Sequence, residues 1–267
     1  TPRIKKRIEG RVFSLVQGAS GNNNYFHWIF DILPKIKLCS EHYLLKEIDF
    51  FYVPNLQNFQ KQTLSIFNIE EDKILSSDLC RHIQASELIV VDHPWYHKGF
   101  ILDQVEFLPS WIIHWLRDVY LKYAKKFDNN EKIYIDRTES EFKHCQIQND
   151  KEVFDFLKEK GFSKYRTGEL SFFEQMYLFN NAKIIIVLRD PIDRAISHYL
   201  MDINFGYNIP DITSILHNPQ KFTQYYHNYI ENGLYSKYID NYKKYFITNL
   251  ISIFTILLTL IIKKFSK

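Results

Sequence analysis

The sequence has few cysteines and few glycines, and both shortages exclude classes of protein. Its three cysteines, at positions 39, 80 and 145 of 267, form no C-x-x-C pair. Scattered thiols of this kind argue against a disulfide scaffold and a structural zinc site, and they are typical of a reducing compartment. The eight glycines form no G-x-G-x-x-G fingerprint, and no cofactor is predicted.

A strong net charge and a targeting pattern are also lacking. Lys and Arg number 34 against 31 acidic residues, which gives a net charge of +3, and the basic residues are spread along the chain. We expect no nucleic-acid partner, because no basic stripe is present. There is no signal-peptide pattern, so we expect a cytoplasmic protein unless its C-terminal tail associates it with a membrane.

Short apolar runs alternate with segments of helical periodicity, which predicts parallel sheets of the α/β class. The charged stretch 128–131 is the best candidate for a linker between domains. We therefore predict two Rossmann-like parallel-sheet domains, 1–127 and 131–246, the second being atypical or truncated. An apolar helix at 247–267 is expected to follow them.

Two of the predicted elements carry specific expectations about burial. A long helix is expected at 107–127, and the aromatic stripe that it carries should lie in the core: Trp111, Trp115, Val119 and Tyr123. The β-branched run Lys183–Leu188 has the length and composition of a buried interior strand of a parallel sheet. A break at residues 189–191 and helical spacing from Ile192 complete a strand, turn and helix.

Residues Tyr25–Leu38 predict a helix that places a histidine beside a carboxylate. The apolar face of this helix carries Phe26, Ile29, Phe30 and Leu33. His27 and Asp31, four residues apart, share another face and can meet. A carboxylate in that position orients an imidazole and suits it to act as a general base near neutral pH. A structural His–Asp pair packed under the sheet explains the same pattern, and the residues alone leave both interpretations open.

Several motifs in a fixed order resemble those of the family 61 glycosyltransferases. They read N-Y-F-H-W-x-x-D-x-L-P at 24–34, I-Y-I-x-R at 133–137, N-D at 149–150, G-F at 161–162, S-x-x-E-Q at 171–175 and A-x-I-I-I at 182–186. The resemblance covers about residues 10–186. It implies a GT-B-like fold and an inverting, metal-independent transfer of a sugar from a nucleotide-sugar donor to a glycan acceptor, as in polysaccharide biosynthesis.

The resemblance also implies roles for individual residues. Arg137 would neutralise the donor diphosphate. Glu174 would hydrogen-bond donor hydroxyls, with Gln175 beside it in the donor site. His27 and Asp31 would be the catalytic residues and line the acceptor side.

Other features of the sequence limit this resemblance. Ser171 and Glu174 match a helix capping box, which explains both residues without a ligand. Cys145 stands where the family usually has an arginine. Residues Val187–Pro191 replace the G-x-H-G-A loop that would cradle the diphosphate.

The segment 189–199, R-D-P-x-x-R-x-x-S-x-Y, resembles the 3′-phosphate loop of sulfotransferases that use the sulfate donor PAPS. This second resemblance covers about residues 183–246 and implies phosphate binding by Arg189 and Ser197. The 5′ loop of those enzymes, K-x-G-[TS]-[TS], is missing, so the leaving phosphate would lack stabilisation. The alternatives to a glycosyltransferase are therefore a PAPS-dependent sulfotransferase acting on a carbohydrate and an inactive chimeric remnant of the two.

The stretch 246–262 is nearly all apolar, is followed by lysines and is just long enough to span a membrane. Membrane contact through this tail and a run-on after a change of reading frame explain it equally well.

A pair of histidines, His93 and His97, is the nearest pattern to a metal site. Pro94 breaks any helix between them, and no third ligand is near in sequence. No metal site is predicted.

Overall fold

The computed structural model describes residues 5–16, 24–95, 108–138, 150–188 and 190–234. Within these ranges the protein is an α/β structure in which every paired strand is parallel to its neighbour. The predicted α/β class with parallel sheets is therefore confirmed. The chain divides into two compact units, Thr1–Lys126 with Ser171–Tyr177, and Phe127–Leu170 with the described residues from Leu178 onward. The domain limits drawn from the sequence stay predictions.

The first unit is built on a four-stranded sheet. Its strands are β1 (Lys6–Ser14), β2 (Phe50–Val53), β3 (Ile74–Ser76) and β4 (Ile83–Val90), in the spatial order β3-β2-β1-β4. Val12 of β1 pairs with Phe50 on one side and with Leu88 on the other. Because all four strands are parallel, the segments that follow β1 and β4 both leave the sheet at the carboxyl ends of the strands.

Strand β1 contains one irregularity that its sequence explains. The register with β4 shifts between Ile8 and Arg11, and Gly10 has a φ of +119°. A Cβ on Gly10 would lie 2.6 Å from Oδ2 of Asp49, the same oxygen that accepts the backbone N–H of Arg11 at 2.7 Å. Only glycine fits this close approach.

The helices of the first unit pack around this sheet. They are α1 (Tyr25–His27), which continues through a π-helical segment (Trp28–Ile32) into α2 (Leu33–Cys39), then α3 (Asn58–Ser65) and α4 (Ser110–Tyr120). Short 3-10 turns occupy Leu45–Glu47, Glu71–Lys73 and Leu121–Tyr123. The core includes Phe13, Leu15, Trp28, Ile32, Leu33, Phe51 and Tyr120.

The helix predicted at 107–127 is shorter than expected. α4 ends at Tyr120, after which the chain tightens into a 3-10 turn. Trp115 and Val119 pack against the core as predicted. Tyr123 is 45% exposed, so its place in the core stripe was wrong: the tighter turn rotates it out of the helical stripe.

The second unit contains a three-stranded sheet in its described part. Its strands are β5 (Lys132–Ile135), β6 (Ser163–Tyr165) and β7 (Ile184–Val187), in the order β6-β5-β7. The predicted strand at Lys183–Leu188 is present as β7, and among the described strands only β5 pairs with it. Ile186 is buried, but Ile185 and Val187 on the opposite face are 44% and 52% exposed, so the prediction that the strand is buried on both faces was wrong.

The described helices of the second unit are α5 (Asp150–Glu159), α6 (Phe172–Asn181), α7 (Pro191–Asn204), α8 (Ile212–His217) and α9 (Thr223–Tyr229), with 3-10 turns at Thr167–Glu169 and Glu231–Gly233. The first residues of α6 count with the first unit. α7 and α9 are joined by the hydroxyl of Tyr229, which donates to Asp202, and by Arg194, which donates to the backbone carbonyls of Asn228 and Tyr229.

The apolar helix expected at 247–267 lies outside the described residues. Among the helices that are described, none combines the length and the apolar character needed to cross a bilayer.

Candidate active site

The carboxyl ends of β1 and β4 form the topological switch point of the first sheet. The chain leaves β1 toward β2 on one side, whereas β4 lies on the other side of β1. In open parallel sheets the crevice beyond such a pair of strands is the usual place for a ligand. Helix α1 follows β1, and residues 91–95 follow β4, so both segments lie beyond this end of the sheet.

The sequence around α1 explains how its polar residues are presented. The side chain of Asn24 caps the helix by accepting the backbone N–H groups of Phe26 and His27. Further along, the N–H of Leu33 donates to the carbonyl of Trp28, which widens the helix into a π segment. Segments of this kind occur frequently at functional sites. The helix predicted from Tyr25 is thus present, with a local widening that the sequence pattern did not show.

Asp31 is the centre of the candidate site. Only 4% of this residue is exposed. Its Oδ2 lies 2.7 Å from Nδ1 of His27 and 3.5 Å from Nε2 of His93, and its Oδ1 accepts the indole N–H of Trp95 at 2.8 Å. The predicted contact between His27 and Asp31 is therefore present, and a second histidine and a tryptophan join it.

The surroundings of Asp31 keep it ionised. Burial disfavours the charged carboxylate, but the hydrogen bonds from His93 and His27 outweigh burial and hold the pKa of Asp31 below its ordinary value. Lys35, which is also buried, adds a nearby positive charge. Burial lowers the pKa of Lys35, and the carboxylates of Asp31 and Asp92 oppose that effect.

The contacts of the two imidazoles assign different roles to them. An ionised carboxylate only accepts hydrogen bonds, so His27 presents Nδ1–H and His93 presents Nε2–H to Asp31. Nδ1 of His93 accepts the backbone N–H of Trp95 at 3.4 Å, which leaves His93 with a partner on each nitrogen. Nε2 of His27 has no partner among the described residues and keeps a lone pair on a side chain that is 35% exposed. His27 is therefore the imidazole suited to take a proton from a substrate.

The two residues expected on the donor side in α6 differ in their surroundings. Glu174 accepts the N–H and the hydroxyl of Ser171, and Lys125 lies 3.3 Å from its other oxygen. The capping box is thus present, and the hydroxyl of Ser171 together with its N–H lowers the pKa of Glu174. Gln175 accepts the hydroxyl of Tyr25 at 3.0 Å, which connects it to the helix that carries His27. Although 41% of Tyr25 is exposed, partial desolvation raises the pKa of its hydroxyl above the ordinary value, so the hydroxyl remains a donor.

Arg137 lies at the carboxyl end of β5, at the switch point of the second sheet between β5 and β7. It is exposed, whereas Asp136 beside it is buried. Burial opposes the ionisation of Asp136, but hydrogen bonds from Thr138 and Arg166 lower its pKa to about 2. Arg166 is therefore engaged by a carboxylate, whereas Arg137 is exposed at the carboxyl end of β5.

The two residues expected to bind phosphate are only partly described. Arg189 lies outside the described residues. Ser197 is half-buried in α7, whose first turn is capped by the side chain of Asp190. Arg194, a member of the same motif, donates to backbone carbonyls of α9 and so holds two helices together.

Within the described ranges, no group of three or more His, Cys, Asp or Glu side chains is arranged to hold a metal ion. His97 lies outside these ranges.

The sequence did not indicate that Trp95 belongs to the site or that His93 meets Asp31. The signal that could have found them is the strand order: both residues follow β4, and β4 is the neighbour of β1.

Comparison with known proteins gives a family for this chain. No curated protein and no solved structure matches it. A family profile described as Glycosyltransferase 61 matches residues 25–189, from the first residue of α1 to just beyond β7. Because this match spans more than half of the chain, the protein belongs to the family 61 glycosyltransferases.

Proposed function

We propose that this protein transfers a sugar from a nucleotide-sugar donor to a glycan acceptor, with inversion at the anomeric carbon and without a metal ion. The observation that carries the proposal is the 2.7 Å contact between His27 and Asp31 at a sheet switch point, in a member of family 61. The contact leaves Nε2 of His27 as an oriented base.

The proposed reaction is a single displacement. Nε2 of His27 takes the proton of an acceptor hydroxyl as its oxygen bonds to the anomeric carbon. The bond from that carbon to the donor phosphate oxygen breaks, and the nucleoside diphosphate leaves with the electron pair. Asp31 stabilises the imidazolium that forms, as the carboxylate of a catalytic triad does.

On the donor side, we assign the diphosphate to Arg137, because its guanidinium is exposed at the end of β5 and is suited to bidentate phosphate contacts. We assign donor hydroxyls to Glu174 and Gln175 on the first turn of α6, whose carboxylate and amide oxygens are hydrogen-bond acceptors. The contact of Gln175 with Tyr25 supports a position beside the catalytic helix.

The experiment combines the full chain with UDP- and GDP-sugars and oligosaccharide acceptors. It measures the release of nucleoside diphosphate and the anomeric configuration of the product by NMR, with and without EDTA. We expect an inverted product that EDTA does not affect, and a rate for His27→Ala lower by about 10² to 10⁴. His82→Ala, which removes an exposed histidine elsewhere in the same unit, is the matched control. Turnover that persists in H27A, or a retained configuration, would contradict the proposal.

A second candidate is the PAPS-dependent sulfotransferase. A strand, a capped turn and a helix occupy this motif at β7, Asp190 and α7, but the carboxylate of Asp190 already accepts the first N–H groups of that helix, so a phosphate there would have to displace it. Calorimetry with adenosine 3′,5′-bisphosphate tests it: binding that weakens in Ser197→Ala would support this candidate. If neither that nucleotide nor any nucleotide sugar gives heat, the remaining interpretation is an inactive chimeric remnant.

Membrane contact through 246–262 is a separate proposal, and vesicle flotation of the chain with and without that stretch tests it.

A further inference from the structure

Trp95 connects the two segments that border the candidate site. It is 7% exposed and follows β4, whereas its hydrogen-bond partners lie on the helix after β1. Its indole N–H donates to Oδ1 of Asp31 at 2.8 Å and also lies 3.1 Å from the carbonyl oxygen of Phe30. The indole N–H of Trp95 is therefore shared between the backbone carbonyl of Phe30 and the side chain of Asp31.

The sequence explains how the carbonyl of Phe30 receives this donor. In an α-helix it would accept the N–H of the residue four positions later, which is Pro34. Proline has no N–H, so that bond cannot form. The π segment that ends at Ile32 and the missing donor at Pro34 together leave room for an indole from another segment of the chain.

Trp95 also determines how His93 faces the carboxylate. The backbone N–H of Trp95 donates to Nδ1 of His93, which leaves Nε2 to carry the proton that faces Asp31. Both N–H groups of Trp95 thus act on Asp31, one directly and one through His93.

We propose that Trp95 is the positioning residue of the catalytic pair: it fixes the orientation of the Asp31 carboxylate and, through it, the tautomer of His27. This inference rests on the proposed function, since it assigns a role in the same reaction. Without the indole, Oδ1 of Asp31 loses its donor and the carboxylate is free to rotate about its χ2 angle. The titratable groups that face Asp31 are His27, His93 and Lys35, with Asp92 next to Lys35.

The test compares Trp95→Phe with Trp28→Phe. Both residues are buried tryptophans of the first unit, and each donates its indole N–H to a side chain, which for Trp28 is the hydroxyl of Thr63 at 2.8 Å. We expect both variants to melt at a lower temperature. Only W95F should lower kcat, by about tenfold with little change in KM, because it leaves a charged acceptor without its donor. The acid limb of the pH profile of kcat should also move to higher pH in W95F, because fewer hydrogen bonds then stabilise the ionised carboxylate of Asp31.

A second variant and a second measurement keep the test decisive if W95F folds poorly. Pro34→Ala restores an N–H that competes with the indole for the carbonyl of Phe30, which removes one of the two acceptors that hold the indole against Asp31. It should therefore lower kcat in the same direction as W95F but by less, while the fold is kept. ¹³C NMR of the Asp31 carboxyl should show a higher pKa in W95F or P34A than in the unsubstituted protein or W28F. Equal kcat and equal carboxyl titration in W95F and W28F would overturn the inference. The NMR titration of the Asp31 carboxyl needs no substrate. A failure to find any sugar transfer would therefore count against the proposed function, while the titration would still test the role of Trp95.

Discussion

The most informative single substitution is Asp31→Asn, because the two oxygens of Asp31 meet different donors. Oδ2 faces the ring nitrogens of His27 and His93, and Oδ1 accepts from Trp95. An amide has only one oxygen. If that oxygen faces the histidines, the indole meets an NH2 group; if it faces the indole, His27 must place its proton on Nε2 and cannot act as a base. Either orientation leaves a buried donor unpaired, at a cost of about 1 to 3 kcal/mol.

The charge that stabilises the imidazolium is lost as well, so we expect kcat of D31N to fall by about 10² to 10³. The assay is the pH dependence of kcat together with thermal unfolding. Asp202→Asn is the matched control, since Asp202 is a buried carboxylate of the second unit that accepts a tyrosine hydroxyl. A D31N enzyme that keeps kcat within about twofold of the unsubstituted protein would refute the role given to Asp31.

The depressed pKa of Asp31 also gives a signed prediction for stability. Its folded pKa lies below its unfolded value, so its ionisation stabilises the fold fully above about pH 4. That contribution is lost as the pH falls through the folded pKa. In D31N the unfolding free energy should lack this component of its acid dependence, which unfolding in urea between pH 3 and pH 7 measures.

Two further predictions concern the scaffold. Gly10→Ala should destabilise the first unit by about 1 to 3 kcal/mol, because Gly10 has a φ of +119° and the new Cβ would meet Asp49. Gly168→Ala is the control and should be nearly neutral, because a Cβ there would have no atom within 4 Å. Equal urea midpoints for the two variants would contradict the strain assigned to Gly10. Asp136→Asn should remove about 2 kcal/mol of stability present above about pH 4 and lost as the pH falls toward 2, where Asp136 titrates. A variant that still loses stability between pH 4 and pH 2 as steeply as the unsubstituted protein would show that other groups carry this dependence.

Local patterns in the sequence were enough to predict features whose partners lie close along the chain. The pairing of His27 with Asp31 needed only the helical spacing of four residues, and the capping box at Ser171 and Glu174 needed only a spacing of three. The strand at Ile184–Val187 followed from its β-branched run. Each of these depends on backbone geometry that the residues themselves favour.

Features that depend on strand order were not accessible in this way. Trp95 meets Asp31 across 64 residues, because β4 pairs with β1 and not with β3. The same limitation applies to β7: an apolar run shows that a strand is favoured, but not whether both of its faces are covered. Ile185 and Val187 share a face that stays exposed, although the run alone predicted them to be buried.

The widened turn at Trp28–Ile32 has a consequence for how this helix tolerates changes in length. Such a turn holds one more residue than an α-helix needs to cover the same rise, so deleting a single position there would let the helix close with ordinary geometry. Everything upstream would then swing by about 100° around the axis relative to Pro34. The imidazole of His27 would be turned away from its present direction while the hydrophobic packing of α2 stayed in place, giving a protein that folds but lacks the orientation on which the proposed role of His27 depends.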